Sequence, residues 1–205
     1  VVTKPLVIIV SGPSGSGKST LVEKILEVPG TIFSVSCTTR TPRGTEQPGK
    51  WYNFVTEEEF EEMVKRGEFL EFAQVFGKNR YGTPRKWLNE ARERELDLVL
   101  EIDVQGAGQV KKLLPDTLSI FILPPSWDEL KRRIQDRRLD TPEEIARRLQ
   151  RAQQELRQYR EYDYAVVNDE VERAGRAVKA IVEAARNEVR RNSQRLDLIF
   201  QKLGG

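Results

Sequence analysis

Apolar residues along this chain fall into two kinds of run. Leu6-Val7-Ile8-Ile9-Val10 and Leu118-Ser119-Ile120-Phe121-Ile122-Leu123 are nearly continuous, as are Leu98-Val99-Leu100-Glu101-Ile102-Asp103 and the shorter Tyr164-Ala165-Val166-Val167. Short runs of this kind, bounded by Pro or Gly, read as strands buried on both faces, as in parallel sheets. Between and after them, apolar positions recur at helical spacing over residues 19–28, 104–114, 127–137, 142–159 and 171–190. Strands alternating with helices predict right-handed βαβ units around a parallel sheet. The middle third differs. Residues 33–38, 52–55 and 69–75 are short β-like pieces separated by turns rich in Gly and Pro. Thr56 followed by Glu59 is a capping box that opens a helix to about Arg66, with Gly67 as its stop. Residues 34–92 are therefore read as an insertion with a small sheet of its own.

Composition narrows the chemistry. The 205 residues carry 34 Lys and Arg against 32 Asp and Glu, a net charge of +2, which argues against a dedicated nucleic-acid binder. Histidine is absent, so serine-histidine and cysteine-histidine nucleophile systems and the usual histidine-containing zinc sites are excluded. The one cysteine, Cys37, has no partner for an internal disulfide. No apolar stretch approaches the roughly 20 residues of a membrane span, and the N-terminus shows no signal-peptide pattern. These features predict a soluble, cytoplasmic domain that works with carboxylates, arginines, lysines, hydroxyls or a bound metal.

Gly12-Pro13-Ser14-Gly15-Ser16-Gly17-Lys18-Ser19 matches G-x-x-x-x-G-K-[ST] directly after a buried strand and at the opening of a helix. Glycines let the loop wrap closely, so its backbone N–H groups and the helix dipole meet a phosphate chain. Lys18 would reach the β- and γ-phosphates, Thr20 would complete the loop's ATP contacts, and the Ser19 hydroxyl would sit on Mg²⁺. Gly15-x-Gly17-x-x-Thr20 lacks the third glycine of a dinucleotide fingerprint, so a nicotinamide site is not indicated. The fold class follows: an α/β domain of P-loop NTPase type, a parallel sheet flanked by helices.

A second set of residues points to a small phosphorylated acceptor. Arg40 and Arg43 follow a hydroxyl-rich strand, and arginine forks suit the capture of phosphate oxygens. Glu46, Glu71, Glu101 and Asp103 stand beside apolar or aromatic residues, where a purely structural charge would be costly unless paired. Glu101 and Asp103, two apart, are read as facing the same side of one strand end. Guanine offers N1–H and N2–H₂ as a donor pair to one carboxylate, so arginines for phosphate and acids for base favour a guanine nucleotide. From Lys131 to Arg160 there are ten Lys and Arg against five Asp and Glu. Charge alone reads that segment as a solvated helical pair.

At these residues the chain resembles guanylate kinases. Ser34-Val35-Ser36-Cys37-Thr38-Thr39-Arg40-Thr41-Pro42-Arg43, with Glu46, Gly49 and Tyr52-Asn53-Phe54-Val55 after it, is similar to the GMP-binding region of that family. The similarity continues through Gly67-Glu68-Phe69-Leu70-Glu71, Tyr81-Gly82-Thr83, Leu100-Glu101-Ile102-Asp103-Val104-Gln105-Gly106-Ala107, Ile122-Leu123-Pro124-Pro125-Ser126 and Val167-Asn168-Asp169. It spans about residues 7–182, in the family's order.

The resemblance implies ATP-dependent phosphorylation of GMP and dGMP, with Mg²⁺. Arg40 and Arg43, helped by Tyr52 and Tyr81, would hold the GMP phosphate, with Glu46 orienting them. Ser36, Glu71, Thr83 and Asp103 would read the guanine edge, and Glu101 would lie near Lys18 or the metal. Arg133, Arg137 and Arg148 would act with Lys18 on the transferring group, and Asn168 would line the adenine pocket. Arg132, Arg138, Arg147 and Arg151 are read as surface charge. The implied organisation is a single domain over residues 1–205: a core (1–33, 93–127 and 161–205), a GMP-binding region (34–92) and a helical lid (128–160). Implied partners are ATP and GMP, without nucleic acid or membrane, for a monomer or homodimer. Guanylate-kinase-like domains of scaffold proteins are the alternative: they bind protein ligands, typically with a degraded phosphate loop, whereas Lys18, Ser19, Ser36 and Arg40 are all present here.

Overall fold

The apolar runs become the centre of a five-stranded sheet in the computed structural model, which describes residues 5–42, 44, 46–75, 79–136 and 141–203. In chain order the elements are β1 (Val7–Ser11), α1 (Lys18–Leu26), β2 (Thr31–Phe33), β3 (Ser36–Thr38), β4 (Tyr52–Phe54), α2 (Glu57–Lys65), β5 (Phe69–Val75) and β6 (Asn79–Pro84). They continue with α3 (Lys86–Glu93), β7 (Asp97–Glu101), α4 (Val104–Leu113), β8 (Leu118–Leu123), α5 (Trp127–Gln135) and α6 (Pro142–Leu156). A 3₁₀ turn (Arg157–Glu161), β9 (Tyr164–Val167), α7 (Val171–Arg186) and α8 (Val189–Lys202) complete the series.

The large sheet runs β2-β7-β1-β8-β9, every pairing parallel. Its alternation sorts the core onto two faces. Ile8 and Val10 join Leu21, Val22 and Ile25 of α1 and Ala174, Val178 and Val182 of α7. Ile9, Leu98 and Leu100 face the other way, against Leu88 and Ala91 of α3 and Ala107 and Val110 of α4. Each large side chain removed from water contributes about 1.5–3 kcal/mol, so the central strands are held from both sides. From β1 the chain moves outward to β2, returns to β7 beside β1, then crosses to β8 on the far side. The strand order reverses around β1, and ligands of open α/β sheets bind at such reversals beyond the strands' C-terminal ends.

The predicted insertion forms a second sheet, β4-β3-β6-β5, with β3 and β4 parallel and the other pairs antiparallel. Its core is small: Phe60 of α2 stacks on Phe69 at 4.5 Å, with Cys37 beside them. Thr56 and Glu59 form the predicted capping box, and Gly67 leaves the helix with φ +67°.

Several boundaries differ from the sequence reading. The piece 33–38 is two strands in two sheets, with Ser34 and Val35 making the crossing. β6 has no signal in the sequence, because Asn-Arg-Tyr-Gly-Thr-Pro shows no alternation; its register on β5 holds it. α3 is equally faint: eight residues with only Leu88 and Ala91 buried give a weak helical pattern. The helix read over 171–190 stops at Arg186, and α8 starts after a break at Asn187 and Glu188. Among the described residues no helix is long and apolar enough to cross a membrane.

Candidate functional site

A cleft of about 520 Å³ opens beyond the C-terminal ends of β1 and β7, walled by the phosphate-loop motif, the small sheet and the α5–α6 pair. The first wall is built by backbone. Gly12 has φ +142°, and a Cβ there would stand 2.4 Å from the carbonyl oxygen of Ile122 in β8. Gly17 has φ +87°, and its Cβ would stand 2.2 Å from Nδ2 of Asn168. Only glycine fits either place. Gly17 is also the N-cap of α1 and makes no side-chain cap bond, so the helix's first N–H groups face the cleft mouth as donors for an anion.

Lys18 Nζ donates to the carbonyl oxygens of Gly12 and Pro13 at 2.9 and 3.1 Å, which holds the ammonium over the loop. Ser19 Oγ donates to Glu101 Oε1 at 3.0 Å. A hydroxyl and a carboxylate side by side are hard oxygen donors of the number Mg²⁺ takes from a protein when substrate phosphates complete its shell. The residues present therefore fit that ion. No group of three or more His, Cys, Asp or Glu suited to a metal occurs among the described residues.

The second wall is built by side chains from several strands. Arg40 is 7% exposed, and its fork meets Glu46 in two contacts, Nη1 to Oε2 at 2.7 Å and Nη2 to Oε1 at 3.0 Å. Its Nε donates to the Tyr81 hydroxyl at 3.2 Å, and its Cζ lies 5.2 Å from the Tyr52 ring centroid. Burial pushes the Tyr52 hydroxyl well above the ordinary tyrosine range, so it stays protonated as a donor. Deeper in, Glu71 of β5 faces Thr83 of β6 in register, and Thr83 Oγ1 donates to Glu71 Oε1 at 2.6 Å. Burial pushes the Glu71 carboxyl up to about 7, with the charge of Asp103 adding to the effect. Gly106 makes room for it, since a Cβ there would stand 2.5 Å from Glu71 Oε2. Ser36, Ala73 and Ile102 complete this part of the lining.

Asp103 lies in the cleft, but not as a strand residue. β7 ends at Glu101, and Asp103 is the N-cap of α4, its Oδ1 accepting from Gly106 N at 2.9 Å. The two-residue spacing therefore does not place it on one strand face with Glu101. The signal for the true arrangement is an Asp directly before a helical run.

The third wall is the α5–α6 pair, joined by Leu130, Ile134 and Ala152. Arg133 reaches the cleft, its Nε donating to Glu129 Oε1 at 2.7 Å and its Nη2 to the Asn168 carbonyl at 3.3 Å. Arg132 and Arg133 together hold Glu129 down to about 2. Arg148, 6% exposed, also lines the cleft. Arg132 and Arg147 are exposed, as a surface role requires.

Arg151 is a correction. It lies in the lining rather than on the surface, donating from Nη2 to Asp103 Oδ2 at 2.5 Å and from Nε to Glu155 Oε1 at 2.7 Å. Glu155 is a lining residue that the sequence reading missed; burial pushes its carboxyl up, against the pull of Arg151. The 148, 151, 155 spacing puts these three on one helical face, and that periodicity is the available signal. Asn168 also differs in place. It is 4% exposed and donates from Nδ2 to the Ser16 carbonyl at 2.8 Å, so its side chain braces the back of the phosphate loop. Arg43, Arg137 and Arg138 lie outside the described residues.

Comparison with known proteins gives a consistent answer. The family model described as guanylate kinase matches residues 3–185. A guanylate kinase of Koribacter versatilis is 50% identical over 93% of this chain and 82% of its own length. One from Clostridioides difficile is 44% identical over 93% of both. The crystal structure of guanylate kinase from Anaplasma phagocytophilum superposes with a TM-score of 0.78 at 35% identity, covering 92% of this chain and 90% of that one.

Proposed function

The chain belongs to the guanylate kinase family, and from that premise we propose that it transfers the γ-phosphoryl group of ATP to GMP or dGMP, giving ADP and GDP or dGDP. One observation carries the reading: the glycine loop with Lys18 and the Arg40–Glu46–Tyr81 cluster open onto the same cleft. Two phosphate-binding devices of different construction on one cavity suit a donor and an acceptor meeting through their phosphates.

In this reading the loop N–H groups and Lys18 hold the β- and γ-phosphates of ATP, while Arg40, Tyr52 and Tyr81 hold the GMP phosphate. Glu46, Tyr81 and the Thr41 carbonyl fix the Arg40 fork and leave one N–H, on Nη2, for the acceptor. Ser36, Glu71, Thr83 and Asp103 select the base, with ionised Glu71 accepting from guanine N–H donors. An acceptor phosphate oxygen attacks γ-phosphorus as the bond to the β-bridging oxygen breaks. That nucleophile is already anionic, so the lack of histidine removes nothing. Arg133 and Arg148 offset the negative charge that the two substrates bring together. Ser19 and Glu101 would hold Mg²⁺, which would supply charge neutralisation to the triphosphate.

Residues 34–92 and 128–160 act as acceptor-binding region and lid, closing on the core to exclude water, which otherwise competes as acceptor. The buried, lone Cys37 fits a cytoplasmic enzyme, working as a monomer or homodimer on two small-molecule substrates.

The test is ADP release with Mg-ATP and, separately, GMP, dGMP, AMP, UMP, CMP and dTMP. Turnover confined to GMP and dGMP is expected. Turnover with AMP or a pyrimidine nucleotide overturns the role given to Glu71 and Asp103, and GMP binding without any turnover overturns the catalytic reading in favour of a protein-binding domain.

A further inference from the structure

Nothing in the chemistry above uses Arg151, yet it occupies the seam between two walls of the cleft. It stands on α6, three residues after Arg148 and four before Glu155, and all three line the cavity. Its Nη2 crosses to Asp103 Oδ2 on α4, at 2.5 Å. The side chains of this pair are only 19% and 21% exposed, so solvent screens it less than a surface ion pair. Asp103 is itself fixed, because Oδ1 accepts from Gly106 N and caps α4. Arg151 is fixed too, through Nε to the buried Glu155. The α5–α6 pair is thereby tied to the carboxylate assigned to the acceptor base.

A carboxylate offers about four lone-pair sites. Gly106 N uses one on Oδ1 and Arg151 one on Oδ2, and the remaining site on Oδ2 can accept a base N–H beside Arg151. Acceptor and arginine therefore share one oxygen without displacing each other. A base donor at Oδ2 fixes the carboxylate further, and a fixed carboxylate seats Arg151 and the helix that carries Arg148.

We propose that Arg151 is a positioning residue that couples the acceptor-base pocket to the α5–α6 pair through Asp103, so that GMP and ATP each strengthen the other's binding. The inference rests on the base-reading role of Asp103 given above. Arg148 and Arg133 belong to the same α5–α6 body, so the link is also a route by which a bound acceptor sets the cationic groups over the donor phosphates.

The experiment compares wild type, Arg151→Met, Arg151→Lys, Asp103→Asn and the Arg151→Met/Asp103→Asn double variant. Calorimetry measures GMP affinity with and without a non-hydrolysable ATP analogue, alongside kcat and both KM values. Wild type is expected to bind GMP more tightly with the analogue present, by on the order of tenfold. Arg151→Met keeps the aliphatic reach but no donor, and is expected to bring that factor close to one. Its kcat should fall by more than its KM for ATP rises. Arg151→Lys should restore part of the coupling, which a merely structural role would not do.

In the double-variant cycle the two losses should be non-additive, because they break one link. Coupling absent from wild type, coupling retained in Arg151→Met, or fully additive losses would each overturn the proposal. Failure of the underlying base reading gives a different pattern: Asp103→Asn then leaves GMP affinity and acceptor choice unchanged. If the melting curve shows Arg151→Met to be unfolded, Arg151→Lys decides: intermediate coupling supports the link and full coupling overturns it.

Discussion

The two ends of the cleft are made of different material. At the phosphate loop, glycine conformations and N–H groups from one unbroken stretch of eight residues form the wall, with Asn168 behind it. At the small sheet Arg40 and Glu46, from the segment between β3 and β4, Glu71 of β5 and Tyr81 and Thr83 of β6 form the wall, each held by another side chain. A backbone wall has few residues that matter for their functional groups, but its glycines admit no replacement. A side-chain wall tolerates change in its backbone context, but it depends on charge and therefore on pH.

The sharpest way to break that contrast is at Gly17. Gly17→Ala forces an L-residue into the left-handed region, at about 1–2 kcal/mol, and drives Cβ into the Asn168 amide. Displacing the loop is expected to lower kcat/KM for ATP by about 10²-fold and to lower the melting temperature, while GMP affinity measured alone stays near wild type. Next in size is Arg40→Met. Losing charge-assisted contacts of about 1.5–3 kcal/mol should reduce kcat/KM for GMP by roughly tenfold to a hundredfold, with KM for ATP unchanged. If both variants damage both substrates equally, the two walls are not separable.

The smallest effect is the pH dependence of Glu71. Its folded pKa of about 7 lies above the ordinary 4.5 because the carboxyl is buried, with Asp103 adding to the shift and the Thr83 hydroxyl opposing it. The folded state thus holds a proton that the unfolded chain has released between those values. The contribution of Glu71 to stability is fully present below the unfolded pKa and is lost as pH rises towards 7. Glu71→Gln should remove that decline, gaining up to about 3 kcal/mol at pH 8 and little at pH 4.5, by chemical denaturation. GMP binding should move the other way. KM for GMP in wild type is expected to fall as pH rises from 6 to 8, where Glu71 becomes an acceptor, and Glu71→Gln should flatten the profile.

The same contrast explains what could be read from the chain. Gly12 to Ser19 is contiguous and conformationally constrained, so spacing alone located it. The central strands were equally legible, because Ile8, Ile9, Val10, Leu98 and Leu100 are buried from both sides and admit no polar alternation. β6 and α3 were not, since each is held by what packs on it: β6 by its register with β5, and α3 by Leu88, Ala91 and the Trp87 indole, which donates to the Val35 carbonyl at 2.9 Å. In the side-chain wall, residue types could be named from chemistry and resemblance, but pairings could not. Nothing in the sequence joins Arg151 to Asp103 across 48 positions.

The bond from Asn168 to the Ser16 carbonyl spans 152 positions, and this separation bears on how the chain is made. A nascent chain carries the whole glycine motif long before Asn168 has been synthesised. At 5–20 residues per second, the residue that buttresses the motif follows roughly eight to thirty seconds later. Until β9 docks on β8, the loop lacks both the Asn168 amide and the strand that delivers it. Triphosphate binding should therefore wait for β9 in a growing chain. Ribosome-stalled chains ending before residue 168 should hold ATP poorly, although every residue of the motif is already in place.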